Sequence, residues 1–218
     1  KLLLTWYNKY RKKRKDLIPM KIDKRKTYYL MVDTETANGI MEEDGELNLN
    51  YSLVYDLGMA VIDKRGTVYE QESLVISDIF YGMKDLMTSC YYKDKLPRYH
   101  EEIASGERQV VSYYKAREIV KRLMEEYNIK VVIAHNAGFD NRAMNNTQRY
   151  LTKSKYRYFF PYGTEVWDTL KMATDTICKQ KMYIRFCEKN GYMTNHSKPR
   201  PRATAEILYR YITGDNDF

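Results

Sequence analysis

Three acidic residues carry the clearest indication of chemistry in this 218-residue sequence. Asp33 and Glu35 directly follow Tyr28–Val32, a short apolar run that suits a buried strand. Residues two apart on a strand lie on one face, so both carboxylates can meet at one site. Adjacent carboxylates repel each other unless a cation lies between them, and oxygen donors without cysteine favour Mg²⁺ or Mn²⁺. The alternative is a chance pair, since 30% of the residues are charged.

Asp140 is the third acid. It closes the polar string His135–Asp140 (HNAGFD), which follows a short apolar run, Val131–Ala134. We expect this run to be a strand beside the first one, so Asp140 would complete a carboxylate cage for two metal ions. Two ions can stabilise the attacking and the leaving oxygen of a phosphoryl displacement. The alternative is a turn that begins the next helix, with Asp140 near its N-terminus.

The remaining pattern predicts an α/β fold, a mixed sheet with flanking helices. The expected strands are 28–32, 53–61 and 68–76, the last two forming a hairpin, then 131–134 and Val166–Trp167. The expected helices begin at the cap Ser112 and at Asp140 and Asp168, with two more near Tyr183–Lys189 and Ala203–Ile212. Residues 77–112 are expected to be an irregular insertion over the sheet. In such folds, sites are usually built at the carboxyl ends of strands.

Length and composition limit the class of protein. The chain suits one domain or one domain with an appendage. Its 44% hydrophobic and 14% aromatic content excludes a disordered chain. No apolar run approaches a membrane span, so no membrane partner is expected. The three cysteines are an odd number without metal-type spacing, which favours reduced thiols and a cytoplasmic location.

The net charge of +8 is unevenly distributed. Residues 1–26 carry +9, residues 27–178 carry −5 and residues 179–218 carry +4. The first segment interleaves cations with Trp6, Tyr7 and Tyr10, a pattern that can hold a phosphate backbone and stack on bases. We therefore treat 1–26 as a basic N-terminal arm, the alternative being a linker without a specific role.

Two motifs together resemble a known family. Val32–Thr36 (VDTET) and His135–Asp140 are similar to motifs I and II of the DEDD 3′–5′ exonucleases, in particular the polymerase III proofreading subunit and its bacterial and phage relatives. Val166–Leu170 (VWDTL) also resembles a later segment of that family. The resemblance covers about Thr27 to the end of the chain. It implies a ribonuclease H-like fold over residues 27–218.

The resemblance also implies roles for individual residues. Asp33, Glu35 and Asp140 would bind two Mg²⁺ or Mn²⁺ ions and carry catalysis. Thr36 would lie near the terminal nucleotide of the substrate. Two further substrate-binding residues are Asn136 and Phe139, whereas Asp168 would support the fold. The expected partners are the 3′ end of single-stranded DNA and a DNA polymerase, in replication and proofreading.

The family pattern breaks at its fourth acid, which belongs to a His-x4-Asp or Tyr-x3-Asp motif. His196 has Pro201 at the required position, and Tyr211 with Asp215 fits the spacing only. Gly214 is expected to end the helix before Asp215 can share a face with Tyr211. We therefore expect the motif III helix to lie beyond Phe218.

Two alternatives remain open from the sequence. The missing fourth acid also suits a degenerate exonuclease fold that only binds nucleic acid or protein. An exoribonuclease would use the same carboxylates, and no residue here identifies a 2′-hydroxyl reader.

Overall fold

The structure of the protein is a computed structural model that describes residues 22–37, 40–41, 47–48, 51–90, 93–153 and 155–215. Most of the basic N-terminal arm, residues 1–21, lies outside the described residues. Within the described ranges, no helix has the length and apolar character needed to cross a bilayer.

A six-stranded mixed sheet forms the centre of the fold. Its main strands are β1 (Tyr28–Ala37), β4 (Leu53–Asp63), β5 (Val68–Ile76), β6 (Gln109–Val111), β7 (Val131–Ala134) and β8 (Glu165–Asp168), while β2 (Ile40–Met41) and β3 (Leu47–Asn48) pair separately. The spatial order is β6-β5-β4-β1-β7-β8. β1, β4 and β5 are antiparallel neighbours, whereas β1–β7, β7–β8 and β5–β6 are parallel. The predicted α/β mixed sheet with flanking helices is confirmed.

Eight α-helices surround the sheet in the described part of the chain. They are α1 (Ser77–Phe80), α2 (Lys84–Ser89), α3 (Leu96–Ala104), α4 (Tyr113–Glu126), α5 (Ala137–Leu151), α6 (Thr169–Asp175), α7 (Lys181–Lys189) and α8 (Ala205–Thr213). α4 begins as predicted, because the Ser112 side chain accepts a hydrogen bond from the Lys115 amide. α8 also ends as predicted, because Gly214 adopts a left-handed conformation at φ 70°.

The helices form two hydrophobic clusters. The large cluster combines buried sheet residues such as Leu30 and Val32 with α4 and α5 residues such as Val120 and Met144. A small, separate cluster links α6, α7 and α8 through five buried residues, namely Ala173, Tyr183, Cys187, Ile207 and Leu208. The C-terminal helices therefore have a core of their own.

The expectation of an irregular insertion over residues 77–112 was wrong. This region contains α1, α2 and α3, and it ends in β6, which extends the sheet by pairing in parallel with β5. Only three residues form β6, too few to show a strand period in the sequence.

A buried ion cluster fastens this region to the sheet. Arg108 is 4% exposed, and its guanidinium contacts Asp56 of β4 at 2.6 Å and Glu102 of α3 at 2.5 Å. Its Cζ lies 4.1 Å from the ring centre of Tyr99, whose hydroxyl donates to Asp56 at 2.7 Å. Arg98 reaches Glu102 from the surface at 2.7 Å. The region is thus tied to β4 through one central cation.

One buried hydroxyl joins α5 to β4. Thr147 is fully buried, its Oγ1 accepts from the Val54 amide at 2.9 Å, and it donates to the Ala143 carbonyl at 2.8 Å. We expect Thr147→Val to lower the free energy of unfolding by about 1–3 kcal/mol, because the Val54 amide loses this acceptor inside the protein. Urea denaturation measures the change. Thr174→Val, which removes an exposed hydroxyl bonded only to its own helix, is the control and should change stability little; equal losses in both would contradict the prediction.

Candidate active site

The predicted acids lie near the carboxyl end of β1. Asp33 and Glu35 face the same side of the sheet, opposite Gly58 and Asp56 of β4 in the strand register. Gly58 has no side chain, so β4 leaves room beside Asp33. β7 and β8 run parallel to β1, so the polar residues that follow them collect at the same edge.

Asp140 approaches this edge from the first turn of α5. Its Oδ1 accepts two hydrogen bonds from Thr34, one from the amide at 3.1 Å and one from the hydroxyl at 2.8 Å. Thr34 lies between Asp33 and Glu35 in the chain, so the third acid is anchored to the strand that carries the other two. Both bonds use Oδ1, and neither occupies Oδ2.

The pKa values of Glu35 and Asp140 are both raised above their ordinary values. Burial raises the pKa of Glu35 to about 7 against the lowering effect of the Lys95 ammonium, and the negative charge of Asp33 adds to the rise. Burial likewise raises the pKa of Asp140 to about 6, again with a contribution from Asp33, while the Thr34 hydrogen bonds oppose the rise. Asp33 therefore acts on both other acids, as expected of carboxylates that share one site.

The turn between β7 and α5 is held in an uncommon conformation. Asn136 has φ 71°, in the left-handed region that few residues other than glycine adopt. Its amide donates to Asp168 Oδ1 at 3.0 Å, and the same oxygen accepts from the Leu170 amide that begins α6. Asp168 thus caps α6 and fixes the Asn136 turn, in line with its expected supporting role.

His135 connects this turn to the C-terminal segment. Its Nδ1 lies 3.0 Å from Thr169 Oγ1, and its Nε2 lies 2.8 Å from the Ala203 carbonyl. Because a carbonyl can only accept, Nε2 carries the proton and Nδ1 accepts from the threonine. Burial lowers the pKa of His135, which favours this neutral form. The ring therefore positions residues 203–204 against the site.

A cavity of about 1580 Å³ opens between the sheet and the C-terminal segment. Asp33, Met31 and Ala60 form its floor, and His135 and Asn136 lie at the edge. The opposite wall comes from residues 192–210, and it includes four cations and a histidine, namely Lys198, Arg200, Arg202, Arg210 and His196. A wall rich in cations opposite Asp33 suits the binding of a phosphate ester.

Much of the wall is a short hairpin-like loop, Tyr192–Arg202. The Thr194 amide donates to the Arg200 carbonyl at 2.9 Å, and the Arg202 amide donates to the Tyr192 carbonyl at 2.9 Å. These main-chain bonds place His196 and Lys198 at the cavity without help from a regular helix or strand.

The sequence reasoning missed Glu206 as a site residue. Thr204 caps α8 by accepting from the Ile207 amide, which puts Glu206 in the first turn and on the cavity that Asp33 also lines. Its Oε1 is 2.8 Å from Arg210 Nη2. The Thr204 cap was visible in the sequence, but a search restricted to His-x4-Asp and Tyr-x3-Asp spacing passes over this glutamate.

Glu35 and Asp140, two of the three predicted acids, do not line the cavity. Four other residues considered from the sequence also stand apart from it. Thr36 continues β1 opposite Val54, and half-buried Phe139 donates its amide to the Asn136 carbonyl at 2.8 Å; neither lines the cavity. Tyr211 packs on Tyr183, with ring centres 4.9 Å apart, and Asp215 follows the end of α8. The structure therefore gives the Tyr211–Asp215 pair no place at the site.

The donor chemistry fits a hard divalent ion, because every candidate ligand is a carboxylate. Burial, with a smaller contribution from the Asp33 charge, raises the pKa values of Glu35 and Asp140. The positions of these carboxylates fit a metal ion less well than their chemistry does. Among the described residues, no three His, Cys, Asp or Glu side chains are grouped closely enough to hold a metal ion. One reason is visible at Glu35, whose Oε1 faces Lys95 Nζ at 3.9 Å.

The raised pKa of the Glu35 carboxyl predicts how the stability of the folded protein changes with pH. In EDTA, burial of Glu35 should cost stability increasingly as the pH rises from about 4.5, its ordinary pKa, to about 7, its folded pKa, because the folded state holds the proton more tightly. Glu35→Gln removes this cost, so its stability relative to the unmodified protein should increase across that window. Urea denaturation at pH 4.5 and 7.5 measures the difference.

The matched control for this experiment is Glu125→Gln, on the exposed side of α4. Its free energy of unfolding should differ from that of the unmodified protein by the same amount at both pH values. A Glu35→Gln difference that stays constant between the two pH values would contradict the raised pKa.

Comparisons with known proteins identify the fold. No protein-family model matches the chain, and no curated protein matches it significantly. Among solved structures, E. coli exonuclease I in complex with a 5cy-dA13 oligonucleotide matches at a TM-score of 0.53 and 14% identity, over 88% of this chain and 37% of that one.

Two other exonuclease I structures give similar values. A product-bound structure has a TM-score of 0.52 at 12% identity, over 85% of this chain and 38% of that one. An apo structure has a TM-score of 0.50 at 13% identity, over 85% and 37%. The chain thus spans a little over a third of the length of the structures that it matches. Its mixed sheet and flanking helices have the ribonuclease H-like fold of exonuclease I.

Proposed function

We propose that the protein is a metal-dependent 3′–5′ exonuclease that releases nucleoside monophosphates from single-stranded DNA. The observation that carries the proposal is the cavity in which Asp33 of β1 faces Glu206 and the cations of the opposite wall, next to the Asp140–Thr34 anchor. The fold supports it, since one solved structure with this fold is described as a complex with an oligonucleotide.

Three carboxylates, Asp33, Glu35 and Asp140, would hold the Mg²⁺ or Mn²⁺ ions, with Glu206 as the fourth acid. Bound there, two such ions would polarise the scissile phosphate and lower the pKa of the attacking water. We infer that Lys198 and Arg200 hold the phosphates of the strand from the opposite wall. Asn136 would contact the terminal nucleotide.

His196 is the imidazole best placed to accept the proton of the attacking water. It lines the cavity on the exposed Tyr192–Arg202 loop, whereas both ring nitrogens of His135 are engaged by Thr169 and Ala203. A base must reach the proton that it removes, and a ring fixed at both nitrogens is poorly suited to that task.

A directional digestion assay tests the function. Single-stranded DNA labelled at its 5′ end should shorten stepwise from the 3′ end in Mg²⁺ or Mn²⁺, with release of mononucleotides and complete inhibition by EDTA. A 3′-terminal phosphorothioate should slow the first step. Internal fragments without mononucleotides would identify an endonuclease and contradict the proposal. Matched RNA in parallel separates an exodeoxyribonuclease from an exoribonuclease.

A binding module with an inactive exonuclease fold is the second candidate. The observation in its favour is the Lys95–Glu35 contact, which places a protein cation beside a presumed metal ligand. Binding of single-stranded DNA without release of any nucleotide in either metal would support this candidate over the enzyme.

The cellular setting is also part of the proposal. The three cysteines are free thiols, which suits the cytoplasm. A proofreading role would require contact with a DNA polymerase, and co-purification with the polymerase of the same genome tests it. The basic N-terminal arm would add affinity for the strand, so deletion of residues 1–26 should flatten the salt dependence of binding.

A further inference from the structure

A second charged surface lies away from the cavity. We define the Arg149–Tyr162 segment as the stretch of chain from the last turn of α5 to the residues just before β8. Residues 141–164 contain five cations and no acid. α5 has 15 residues and is therefore about 22 Å long, with Asp140 in its first turn and this segment at its other end.

The segment also exposes aromatic rings. Tyr162 is 98% exposed, Tyr150 61% and Tyr158 60%, and Tyr156 is partly exposed beside Tyr158 with ring centres 6.0 Å apart. Seven other tyrosines among the described residues are instead buried in the core. Four such rings within 13 residues are a reason to look for a ligand that covers them.

The backbone that carries these rings is firmly held. Phe159 is 2% exposed, its amide donates to Asn145 Oδ1 at 2.8 Å, and its carbonyl accepts from Arg117 Nε at 3.2 Å. Gln148 Nε2 donates to the Tyr156 carbonyl at 3.2 Å. Because the backbone is already fixed, binding of a ligand to these rings and cations would cost little conformational entropy.

The cations of the segment are available for a polyanion. Within the part of the chain that the structure describes, Lys153, Lys155 and Arg157 are exposed and make no ion pair with an acidic side chain. Cations alone would suit any acidic partner. Cations that alternate with exposed rings suit a single strand, because its phosphates pair with the cations and its unstacked bases lie on the rings.

We propose that the Arg149–Tyr162 segment is a second, sequence-tolerant binding site for single-stranded nucleic acid. It lies at the amino-terminal edge of β7 and β8, where the Glu165 amide donates to the Lys130 carbonyl, and none of its residues lines the cavity. The site binds a strand whether or not the cavity hydrolyses one. A duplex is a poorer ligand, because its bases are already stacked.

Anisotropy of a labelled 20-nucleotide oligothymidylate, measured in EDTA over a series of salt concentrations, tests the site. The triple variant Lys153→Ala, Lys155→Ala, Arg157→Ala should reduce the slope of log K against log salt by about 0.7 for each lost phosphate contact. The double variant Tyr158→Ala, Tyr162→Ala should weaken binding by about tenfold or more with an unchanged slope.

The charge-matched control is Lys84→Ala, Lys121→Ala, Arg185→Ala, three exposed cations spread over α2, α4 and α7. Its slope should stay close to that of the unmodified protein. If both triple variants reduce the slope of log K against log salt equally, the net charge of the protein alone explains binding and the proposal is overturned. Unchanged oligonucleotide binding in the tyrosine variant would overturn it in favour of an acidic protein partner. The same conclusion would follow if the variants lost affinity for a polyglutamate peptide as much as for the oligonucleotide.

The two proposals fail in different ways. If the cavity is not an exonuclease site, the protein digests nothing in Mg²⁺ or Mn²⁺, yet the binding in EDTA and its dependence on Tyr158 and Tyr162 remain. If the segment is not a binding site, digestion of a trinucleotide too short to reach it continues, while the EDTA titrations show no effect of the variants.

Discussion

Replacing Asp33 with asparagine is expected to reduce the release of mononucleotides by about a thousandfold, equivalent to about 4 kcal/mol of transition-state stabilisation. Asp33 lines the cavity, and its charge acts on both Glu35 and Asp140. Asparagine preserves the shape of the side chain and removes its charge. The measurement is the initial rate of mononucleotide release at saturating Mn²⁺.

A second measurement tests the same substitution without relying on catalytic turnover. Without the Asp33 charge, the pKa of Glu35 and that of Asp140 should both fall, because the like charge that helps to raise them is gone. Carboxyl carbon shifts in an NMR titration report both values in EDTA.

The matched control is Asp175→Asn, which removes an exposed carboxylate paired only with Lys179. It should leave both the rate and the two pKa values unchanged. An Asp33→Asn protein that retains more than about a tenth of the activity would show that the cavity is not where the reaction occurs.

Replacing Arg108 with alanine is expected to have the largest effect on stability. The loss should be about 3–5 kcal/mol, because Asp56 and Glu102 would remain buried without their shared cation. Asp56 Oδ1 already has no hydrogen-bond partner within the described structure, so its other oxygen depends on Arg108 and Tyr99. Urea denaturation at pH 7 measures the loss.

Arg98→Ala is the matched control, since Arg98 bonds to the same Glu102 from a side chain that is 51% exposed. Solvent screens this pair, so the expected loss is at most about 1 kcal/mol. Similar losses for both arginines would show that burial does not decide the strength of the cluster.

Sequence reasoning worked best where a local rule decides the structure. The Val68–Ile76 strand has the predicted bounds, and the Ser112 cap and the Gly214 stop act as their residue types require. β1 was underestimated, because its polar continuation through Asp33 to Ala37 is held by pairing with β4 rather than by its own hydrophobic pattern. β6 was missed since its neighbour in the sheet, β5, lies more than 30 residues away in the chain.

The site shows the same division between local and long-range information. Asp33 and Glu35 share a face because of strand geometry alone, which the sequence contains. The Asp140–Thr34 bond joins residues 106 positions apart. The expectation of neighbouring strands and the family resemblance both brought the two motifs together, but neither specified this bond. Glu206 meets the cavity because His135 holds Ala203 near Thr169, a contact that no spacing rule contains.

The separate small core of α6, α7 and α8 has a consequence for access to the cavity. A cooperative unit with its own buried side chains can open without unfolding the central sheet, so we expect α8, which carries Glu206, to open before the sheet does. The opening would require loss of the His135–Ala203 hydrogen bond but not of any strand pairing. Amide protons in α8 should therefore exchange with solvent well before those of β1 and β4, and a bound oligonucleotide should slow that exchange by holding the wall closed.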